Sequence, residues 1–238
     1  MKRNRKPERE LLIKSLGSNS PAVEAYRSLR TNIQFANITA ETKVIIVTSA
    51  GPGEGKSSVA ANLASVMALA GSKCFLVDAD LRKPVQAGQF EVSGRIGLTD
   101  VLMGSLDLDD ALVETEIGGL TLLPSGPTPP NPAELLGSQA MKELIQRLRE
   151  RADFVIIDAP PLLPVTDAAL LAPNTDGTIL VLKSGETDKQ AIVRAKQLLE
   201  AVQARILGVV LNGVTPKNGG YYHHYYYRYA ESGEKRRA

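Results

Sequence analysis

The sequence predicts an α/β fold in which a doubly wound, mostly parallel sheet carries helices on both faces. Short apolar runs rich in β-branched residues alternate with longer helical patterns, which is the strand–helix order of such folds. The apolar runs lack the in-and-out alternation of a half-exposed strand, so we expect both faces of the sheet to be buried. The 238 residues, of which 43% are hydrophobic and 23% charged, suffice for one globular domain with tails.

Six segments are predicted strands and four are predicted helices. The strands are expected at residues 43–48, 73–78, 120–123, 153–158, 177–183 and 206–211. The helices are expected at residues 21–38, 56–70, 139–151 and 188–203. Ser138 and Thr187 are the expected N-caps of the last two helices, and Gly71 ends the second helix. These elements place a domain at residues 20–215, between a basic flexible segment at 1–19 and a flexible tail at 216–238.

The composition narrows the class of protein. The formal net charge is only +2, but basic residues crowd both ends of the chain. Such ends are either solvated or bind an acidic membrane surface or partner. The single cysteine, Cys74, lies in an apolar strand pattern, which indicates no disulfide framework, no Cys/His metal site and a reducing compartment. Without an apolar run of membrane-spanning length or a signal peptide, the sequence predicts a cytoplasmic protein, with no nucleic-acid partner.

A glycine-rich segment follows the first predicted strand and opens the second predicted helix. Its residues are Gly51, Pro52, Gly53, Glu54, Gly55, Lys56, Ser57 and Ser58. Glycines let successive backbone N–H groups curl around an anion, and the helix start adds the positive end of its dipole. Lys56 can reach the β- and γ-phosphates, and the Ser57 hydroxyl can ligate Mg²⁺. The segment therefore predicts a nucleoside triphosphate site.

Two other interpretations of this segment are weaker. A glycine-rich turn can open an ordinary helix, and the overlapping Gly51-x-Gly53-x-Gly55 could belong to a dinucleotide-binding fingerprint. The glycine spacing does not fit that fingerprint, and a Lys-Ser pair directly after the last glycine favours a phosphate-binding loop. The loop departs from the usual pattern at Ala50, a small residue at the position of the first glycine.

Two predicted strands end in aspartates: Asp78 and Asp80 close the second strand, and Asp158 closes a later one. In open α/β sheets ligands bind beyond the carboxyl ends of the strands, where these carboxylates are expected to meet the phosphate loop. Mg²⁺ needs hard oxygen ligands and keeps several waters, so one or two carboxylates with Ser57 suffice. A further carboxylate can accept a proton from an attacking hydroxyl. One such aspartate alone is commonly a cap or turn former, but three around one loop predict a reactive site.

These motifs together resemble the bacterial tyrosine kinases, or BY-kinases, which autophosphorylate through a P-loop. The resemblance covers about residues 20–215 and the tail. Its marks are residues 50–57, 76–84 and 155–161. It implies a P-loop NTPase fold, ATP and Mg²⁺ as cofactors, and an ATP-dependent protein-tyrosine kinase activity.

The resemblance also implies roles for individual residues. Lys56 neutralises phosphate charge, and Asp78 accepts the proton of the incoming tyrosine hydroxyl. Asp80 completes the catalytic set. The Mg²⁺ ligands, direct or through water, are Ser57, Asp80 and Asp158.

A neighbouring family, the Min/Par partition and positioning ATPases, shares this loop. Its members carry an additional lysine early in the loop, where this chain has Gly51. Asn212, after the last predicted strand, matches the position that binds adenine in these ATPases, although a turn-forming asparagine explains it nearly as well. A Min/Par-like ATPase with the tail as a docking strip and a nucleotide-gated scaffold are the alternatives to a kinase. All three bind ATP, but only the kinase phosphorylates its tail.

Six of the seven tyrosines lie within nine residues of the tail. They are Tyr221, Tyr222, Tyr225, Tyr226, Tyr227 and Tyr229. An aromatic binding strip, or a tail packed on the domain, would not explain why the cluster follows Gly219-Gly220 in polar surroundings. A parallel last strand ends on the side of the phosphate loop, and an extended chain from 215 to 229 spans at most roughly 45–50 Å. With the resemblance, the cluster is predicted to be the phosphoacceptor, acting between neighbouring subunits.

The first predicted helix carries Glu24, Arg27 and Arg30 at three-residue spacing. In the resembled family Glu-x-x-Arg-x-x-Arg is a self-association motif, which implies a homo-oligomer and supports a ring. The alternative is a solvated face with one Glu24–Arg27 pair worth about 0.2–0.5 kcal/mol.

The resemblance further implies an activator, the cytoplasmic segment of a separate membrane protein, that recruits the kinase to the inner face of the membrane. Other protein-tyrosine substrates and control of capsular or extracellular polysaccharide synthesis and export are also implied.

Overall fold

The computed structural model describes residue 13 and residues 20–36 and 41–214. In this part of the chain a seven-stranded sheet is covered by helices on both faces. The strands are β1 (Val44–Ser49), β2 (Cys74–Asp78), β3 (Val113–Glu114), β4 (Leu120–Leu123), β5 (Phe154–Asp158), β6 (Gly177–Lys183) and β7 (Ile206–Asn212). The helices are α1 (Pro21–Ala36), α2 (Lys56–Leu69), α3 (Gln86–Gln89), α4 (Leu98–Leu102), α5 (Leu108–Ala111), α6 (Pro132–Leu136), α7 (Gln139–Arg151), α8 (Asp167–Leu171) and α9 (Lys189–Ala201). Apart from residue 13, the predicted basic segment lies outside the described residues, as does the predicted tail.

The strand order is β3-β4-β2-β5-β1-β6-β7, and every neighbouring pair is parallel except β3 with β4. The predicted doubly wound, mostly parallel sheet is therefore confirmed. Its register determines where the site forms, because Asp158 pairs with Val47 of β1 and with Asp78 of β2. The carboxyl ends of the three central strands thus lie side by side.

The core has two parts, one on each face of the sheet. Along β1, Val44 and Ile46 pack into the part that contains α7 and α8, whereas Ile45 and Val47 pack into the part that contains α2. All four side chains are fully buried. A central parallel strand has apolar neighbours on both faces, which is why its sequence is a continuous apolar run.

The last strand departs from the prediction that both faces are covered. β7 lies at the edge of the sheet and pairs only with β6. Val209 and Leu211 are each 56% exposed. An edge strand has a neighbour on one side alone, so an apolar sequence does not guarantee burial there.

The two predicted N-caps had different outcomes. Ser138 Oγ accepts a hydrogen bond from the Met141 N–H (3.2 Å), as predicted. The cap of α9 is Asp188 and not Thr187, because the Asp188 carboxylate accepts from the N–H groups two and three positions further on. Thr187 Oγ1 instead donates to Glu54 Oε1 (2.8 Å).

The elements that the sequence did not indicate are short. β3 has two residues, and α3, α4, α5, α6 and α8 have four or five residues each, too few to show a helical repeat. The ends of the predicted elements differ from the observed ends by at most two residues. None of the described helices combines the length and hydropathy that crossing a bilayer requires.

Candidate active site

The phosphate loop connects β1 to the first residue of α2, Lys56. Gly53 and Gly55 have φ angles of 76° and 89°, in the left-handed region that favours glycine. A Cβ atom at Gly55 would also lie only 2.0 Å from Asn212 Nδ2. The backbone conformation requires glycine at this position, and a larger residue would also displace the Asn212 amide.

Glu54 and Asn212 hold the loop from two sides. The Glu54 side chain is 7% exposed, and its carboxylate accepts from the Ala50 N–H (3.0 Å) and from Thr187 Oγ1 (2.8 Å). Asn212, at the end of β7, donates its side-chain N–H to the Glu54 carbonyl oxygen (3.1 Å). The structure thus places Asn212 against the loop backbone.

Lys56 contacts three of the oxygen-bearing residues predicted for the site. Its Nζ donates to Asp80 Oδ2 (2.7 Å) and Ser57 Oγ (3.0 Å), and lies 3.4 Å from Asp158 Oδ1. Burial lowers the pKa of Lys56, but the charges of Asp158 and Asp80 raise it by more, and the net pKa is raised. Lys56 is therefore a fixed cation in the midst of the carboxylates.

Asp78 is fully buried and its two oxygens differ. Oδ2 accepts from the backbone N–H groups of Gln86 (2.9 Å) and Val85 (3.1 Å), while Oδ1 has no hydrogen-bond partner within the described part of the chain. Burial, followed by the charge of Asp158, raises the pKa of Asp78 to about 7. A carboxyl group with one unpaired, buried oxygen and a pKa near neutrality can take up or release a proton under physiological conditions.

Asp80 and Asp158 both contact the Lys56 ammonium. Asp80 Oδ1 accepts from the Lys83 N–H (3.0 Å), and Asp158 Oδ2 accepts from Gln86 Nε2 (2.7 Å). Burial raises the pKa of Asp158 in spite of the opposing effect of Lys56. Asp80 and Asp158 are in contact with the Lys56 ammonium, and this contact distinguishes them from Asp78.

The donor set around Lys56 suits Mg²⁺. Ser57 Oγ, Asp80 Oδ2 and Asp158 Oδ1 are hard oxygens within 3.4 Å of one cationic nitrogen. Among the described residues no group of three or more His, Cys, Asp or Glu side chains forms a ready-made metal site. A phosphate-loop site needs fewer protein ligands, because phosphate oxygens and water complete the Mg²⁺ octahedron.

Two further contacts at the site carry no local sequence signal. Arg82 forms a two-pronged ion pair with the fully buried Asp167, from Nε to Oδ1 (3.0 Å) and from Nη2 to Oδ2 (3.2 Å). This pair fastens the segment after β2 to the start of α8. Gln86, also fully buried, bonds to Asp78, Asp158 and Ser57.

The three charged residues of α1 do not act as one group within the chain. Glu24 and Arg27 form an exposed ion pair. Arg30 Nη1 donates to the Val66 carbonyl oxygen of α2 (3.2 Å) and so holds α1 on the domain. The three-residue spacing of Arg30 from Arg27 in the sequence did not indicate this contact within the chain.

The tail tyrosines at 221–229 lie outside the described residues, but the point from which the tail departs is described. As predicted for a parallel last strand, β7 ends beside the phosphate loop, where Asn212 contacts Glu54. The described chain ends at Val214, two residues beyond this contact. The described part of the chain therefore ends close to the phosphate loop.

Comparisons with known proteins agree with this geometry. A family model described as an AAA domain matches residues 42–207. The tyrosine-protein kinase YwqD of Bacillus subtilis (strain 168) is 46% identical over 190 residues, which cover 80% of each chain. The chain belongs to the bacterial tyrosine-protein kinases. The crystal structure of the chimerical protein CapA2B2 superposes with a TM-score of 0.81 at 42% identity, covering 85% of this chain and 89% of that one. The predicted P-loop NTPase fold and protein-tyrosine kinase activity are confirmed.

The partition ATPases are more distant. The septum site-determining protein MinD from Pyrococcus horikoshii, complexed with Mg-ADP, has a TM-score of 0.64 at 27% identity, covering 74% of this chain and 73% of that one. The two proteins share the P-loop NTPase fold, which binds nucleotide together with Mg²⁺ in MinD. The Min/Par alternative is not favoured.

Proposed function

We propose that this kinase transfers the γ-phosphoryl group of Mg-ATP to the tyrosines of its own tail, between subunits. The observation that carries the proposal is the convergence of Lys56, Asp78, Asp80 and Asp158 at the carboxyl edge of the sheet, beside the strand end from which the tail departs. The acceptors are Tyr221, Tyr222, Tyr225, Tyr226, Tyr227 and Tyr229.

In this proposal residues 51–58 bind the phosphates of ATP through backbone N–H groups and the Lys56 ammonium. Lys56 exchanges its carboxylate partners for phosphate oxygens. Ser57, Asp80 and Asp158 would hold Mg²⁺, whose charge would offset that of the transferring phosphoryl group. Asn212 lies against the loop, where it either contacts the adenine or acts only as a support for the loop.

Asp78 is the proposed base for the tyrosine hydroxyl. Its Oδ1, which is buried and has no hydrogen-bond partner among the described residues, and its pKa of about 7 fit proton acceptance at neutral pH. Asp80 is bonded to Lys56 and to the Lys83 N–H, a pattern that fits a metal ligand. This difference in hydrogen bonding supports the division of roles between the two aspartates.

The relatives support a cellular context for the activity. We propose that the kinase is cytoplasmic and is activated by the cytoplasmic segment of a separate membrane protein, which recruits it to the inner face of the membrane. Its other substrates are protein tyrosines, and it controls capsular or extracellular polysaccharide synthesis and export. The basic ends of the chain would favour an acidic membrane surface.

Phosphopeptide mapping tests the proposed function. After incubation of the purified chain with Mg-ATP, we expect phosphate on tyrosines 221–229 and none in EDTA, because the reaction needs the metal ion. Tyr26 of α1 is an internal control and should stay unmodified, since it is held in a helix that packs against α2. Hydrolysis of ATP without tail phosphate would favour a partition ATPase instead.

A mixing experiment separates transfer within a chain from transfer between chains. One chain carries Lys56→Met with an intact tail, and the other is active but ends before residue 221. Phosphate on the tail of the inactive chain would demonstrate transfer between subunits. An unlabelled tail in this mixture, under conditions in which the wild-type chain labels its own tail, would contradict that part of the proposal.

The α1 motif is proposed to mediate self-association, and the structure refines its test. Because Arg30 holds α1 on Val66, a variant that keeps Arg30 avoids loosening the helix. We expect Glu24→Ala with Arg27→Ala to reduce the mass by light scattering to the 25.5 kDa of one chain. A control variant removes the exposed Lys196–Glu200 pair of α9 and should leave the mass unchanged. An oligomer that survives the α1 double substitution would refute this role.

A further inference from the structure

Gln86 is a buried residue that touches all three motifs of the active site. Its backbone N–H donates to Asp78 Oδ2 (2.9 Å). Its side-chain Nε2 donates to Asp158 Oδ2 (2.7 Å) and to the Ser57 carbonyl oxygen (3.1 Å). One residue at the start of α3 therefore joins the first turn of α2 to the ends of β2 and β5.

The orientation of the Gln86 amide follows from its neighbours. The Ser57 carbonyl oxygen can only accept a hydrogen bond, so the NH₂ group of Gln86 must face it. The two protons of that group match the two acceptors around it, Ser57 O and Asp158 Oδ2. Gln86 Oε1 makes no hydrogen bond within the described residues. The amide acts here as a donor.

This donation determines which oxygen of Asp158 faces the phosphate loop. Gln86 holds Oδ2, and the other oxygen, Oδ1, lies 3.4 Å from Lys56 Nζ. The same nitrogen contacts Ser57 Oγ and Asp80 Oδ2, so Oδ1 belongs to the group of oxygens that suits Mg²⁺. Without the amide, Asp158 Oδ2 would lose this donor, and only the contacts with Ser57 and Lys56 would remain to orient the carboxylate.

We propose that Gln86 is a positioning residue for Mg-nucleotide binding, which anchors Asp158 Oδ2 and thereby directs Asp158 Oδ1 toward the cation beside Ser57. This inference rests on the proposed function, since it requires Mg-ATP to bind in this site. Gln86 acts through Asp158 and is not itself a ligand. Replacing a group that orients a metal ligand typically changes metal affinity by about 10–100-fold.

Gln86→Met tests the inference, because methionine keeps the side-chain length and removes the donor. We expect the Mg²⁺ concentration that half-saturates nucleotide binding to rise about tenfold or more, measured by titrating MgCl₂ into the full chain with a fluorescent ADP analogue. Affinity for the analogue in EDTA should change by less than about twofold, because the loop N–H groups bind phosphate without the metal. Gln86→Glu should also raise the half-saturating Mg²⁺ concentration, since an ionised carboxylate cannot donate to Asp158 Oδ2 and repels it.

Gln89→Met is the matched control, the same substitution three positions further along α3, and it should behave as the wild type. Thermal melting without ligand checks that each variant is folded, and Gln86→Glu carries the test if Gln86→Met does not fold. An unchanged Mg²⁺ dependence in both Gln86 variants would overturn the inference. So would an equal loss of affinity with and without Mg²⁺, which would indicate a loosened loop. A wild-type chain without Mg²⁺-dependent nucleotide binding would refute the proposed function itself.

Discussion

Replacing Lys56 with methionine is expected to reduce tail phosphorylation by about 10³-fold or more. Phosphoryl transfer depends almost entirely on positioning and on neutralising charge, and Lys56 is the cation that contacts Ser57, Asp80 and Asp158. Methionine has a similar length but no charge. The measurement is the rate at which phosphate appears on residues 221–229 by mass spectrometry, with Mg-ATP at saturation.

The same substitution at Lys142 is the control, because that lysine is exposed on α7. Lys142→Met should phosphorylate its tail at the wild-type rate. A Lys56→Met chain that keeps more than about a tenth of the wild-type rate would contradict the role of Lys56, since the loss would then be less than about 1.4 kcal/mol of barrier.

Stability must be measured alongside activity in this variant. Without Lys56 the buried Asp80 and Asp158 lose their counter-ion, which costs about 3–5 kcal/mol for a buried pair broken on one side. The deficit should shrink as the pH falls, because burial raises the pKa of Asp158 and its carboxyl group then takes up a proton and no longer needs a cation. Urea unfolding at pH 5 and pH 8 distinguishes this loss from a loss of catalysis alone.

The central part of this site could be predicted from sequence because its signals are local. The phosphate loop is one short segment, and Asp78 and Asp158 each end an apolar run. A parallel sheet brings the carboxyl ends of its strands to one edge, so three local patterns were enough to predict one site. In the structure, Asp78 and Asp158 are paired in register on neighbouring strands.

The supports of the site could not be predicted because they join distant positions. Gln86 lies 72 positions from Asp158, and Arg82 lies 85 positions from Asp167. Glu54 and Thr187 are 133 positions apart, and their hydrogen bond takes Thr187 away from the cap role that its position next to the helix indicated. Such contacts depend on which loops the fold brings together, and no spacing rule relates the partners.

Asp78→Asn is expected to slow tail phosphorylation by about 10²-fold or more and at the same time to stabilise the fold. Asparagine retains an oxygen for the N–H groups of Val85 and Gln86 but cannot accept a proton from tyrosine. Loss of a general base typically lowers the rate by about 10²–10⁴-fold. Binding of the ADP analogue with Mg²⁺ should persist, because the proposed ligands Ser57, Asp80 and Asp158 are unchanged.

The stabilisation follows from the raised pKa of Asp78. Burial and the charge of Asp158 raise the pKa of Asp78 from an ordinary value of 3.8 to about 7. At a pH between 3.8 and 7, Asp78 is therefore protonated in the native state and ionised in the unfolded chain. The contribution of the Asp78 carboxyl group to the free energy of unfolding is therefore fully present below pH 4 and is lost as the pH rises through 7. Asparagine does not ionise, so the variant should gain about 1–4 kcal/mol in free energy of unfolding at pH 8 and almost nothing at pH 4.

Urea unfolding followed by circular dichroism between pH 4 and pH 8 measures this difference. Asp109→Asn is the control, since Asp109 is an exposed partner of Arg151 and should change stability by less than about 0.5 kcal/mol at every pH. An Asp78→Asn chain no more stable than the wild type at pH 8 would show that Asp78 is not held at a raised pKa. A variant that is more stable and still phosphorylates its tail would instead assign the proton transfer to another group. The stability measurement therefore tests the raised pKa of Asp78, and the phosphorylation rate tests its role in proton transfer.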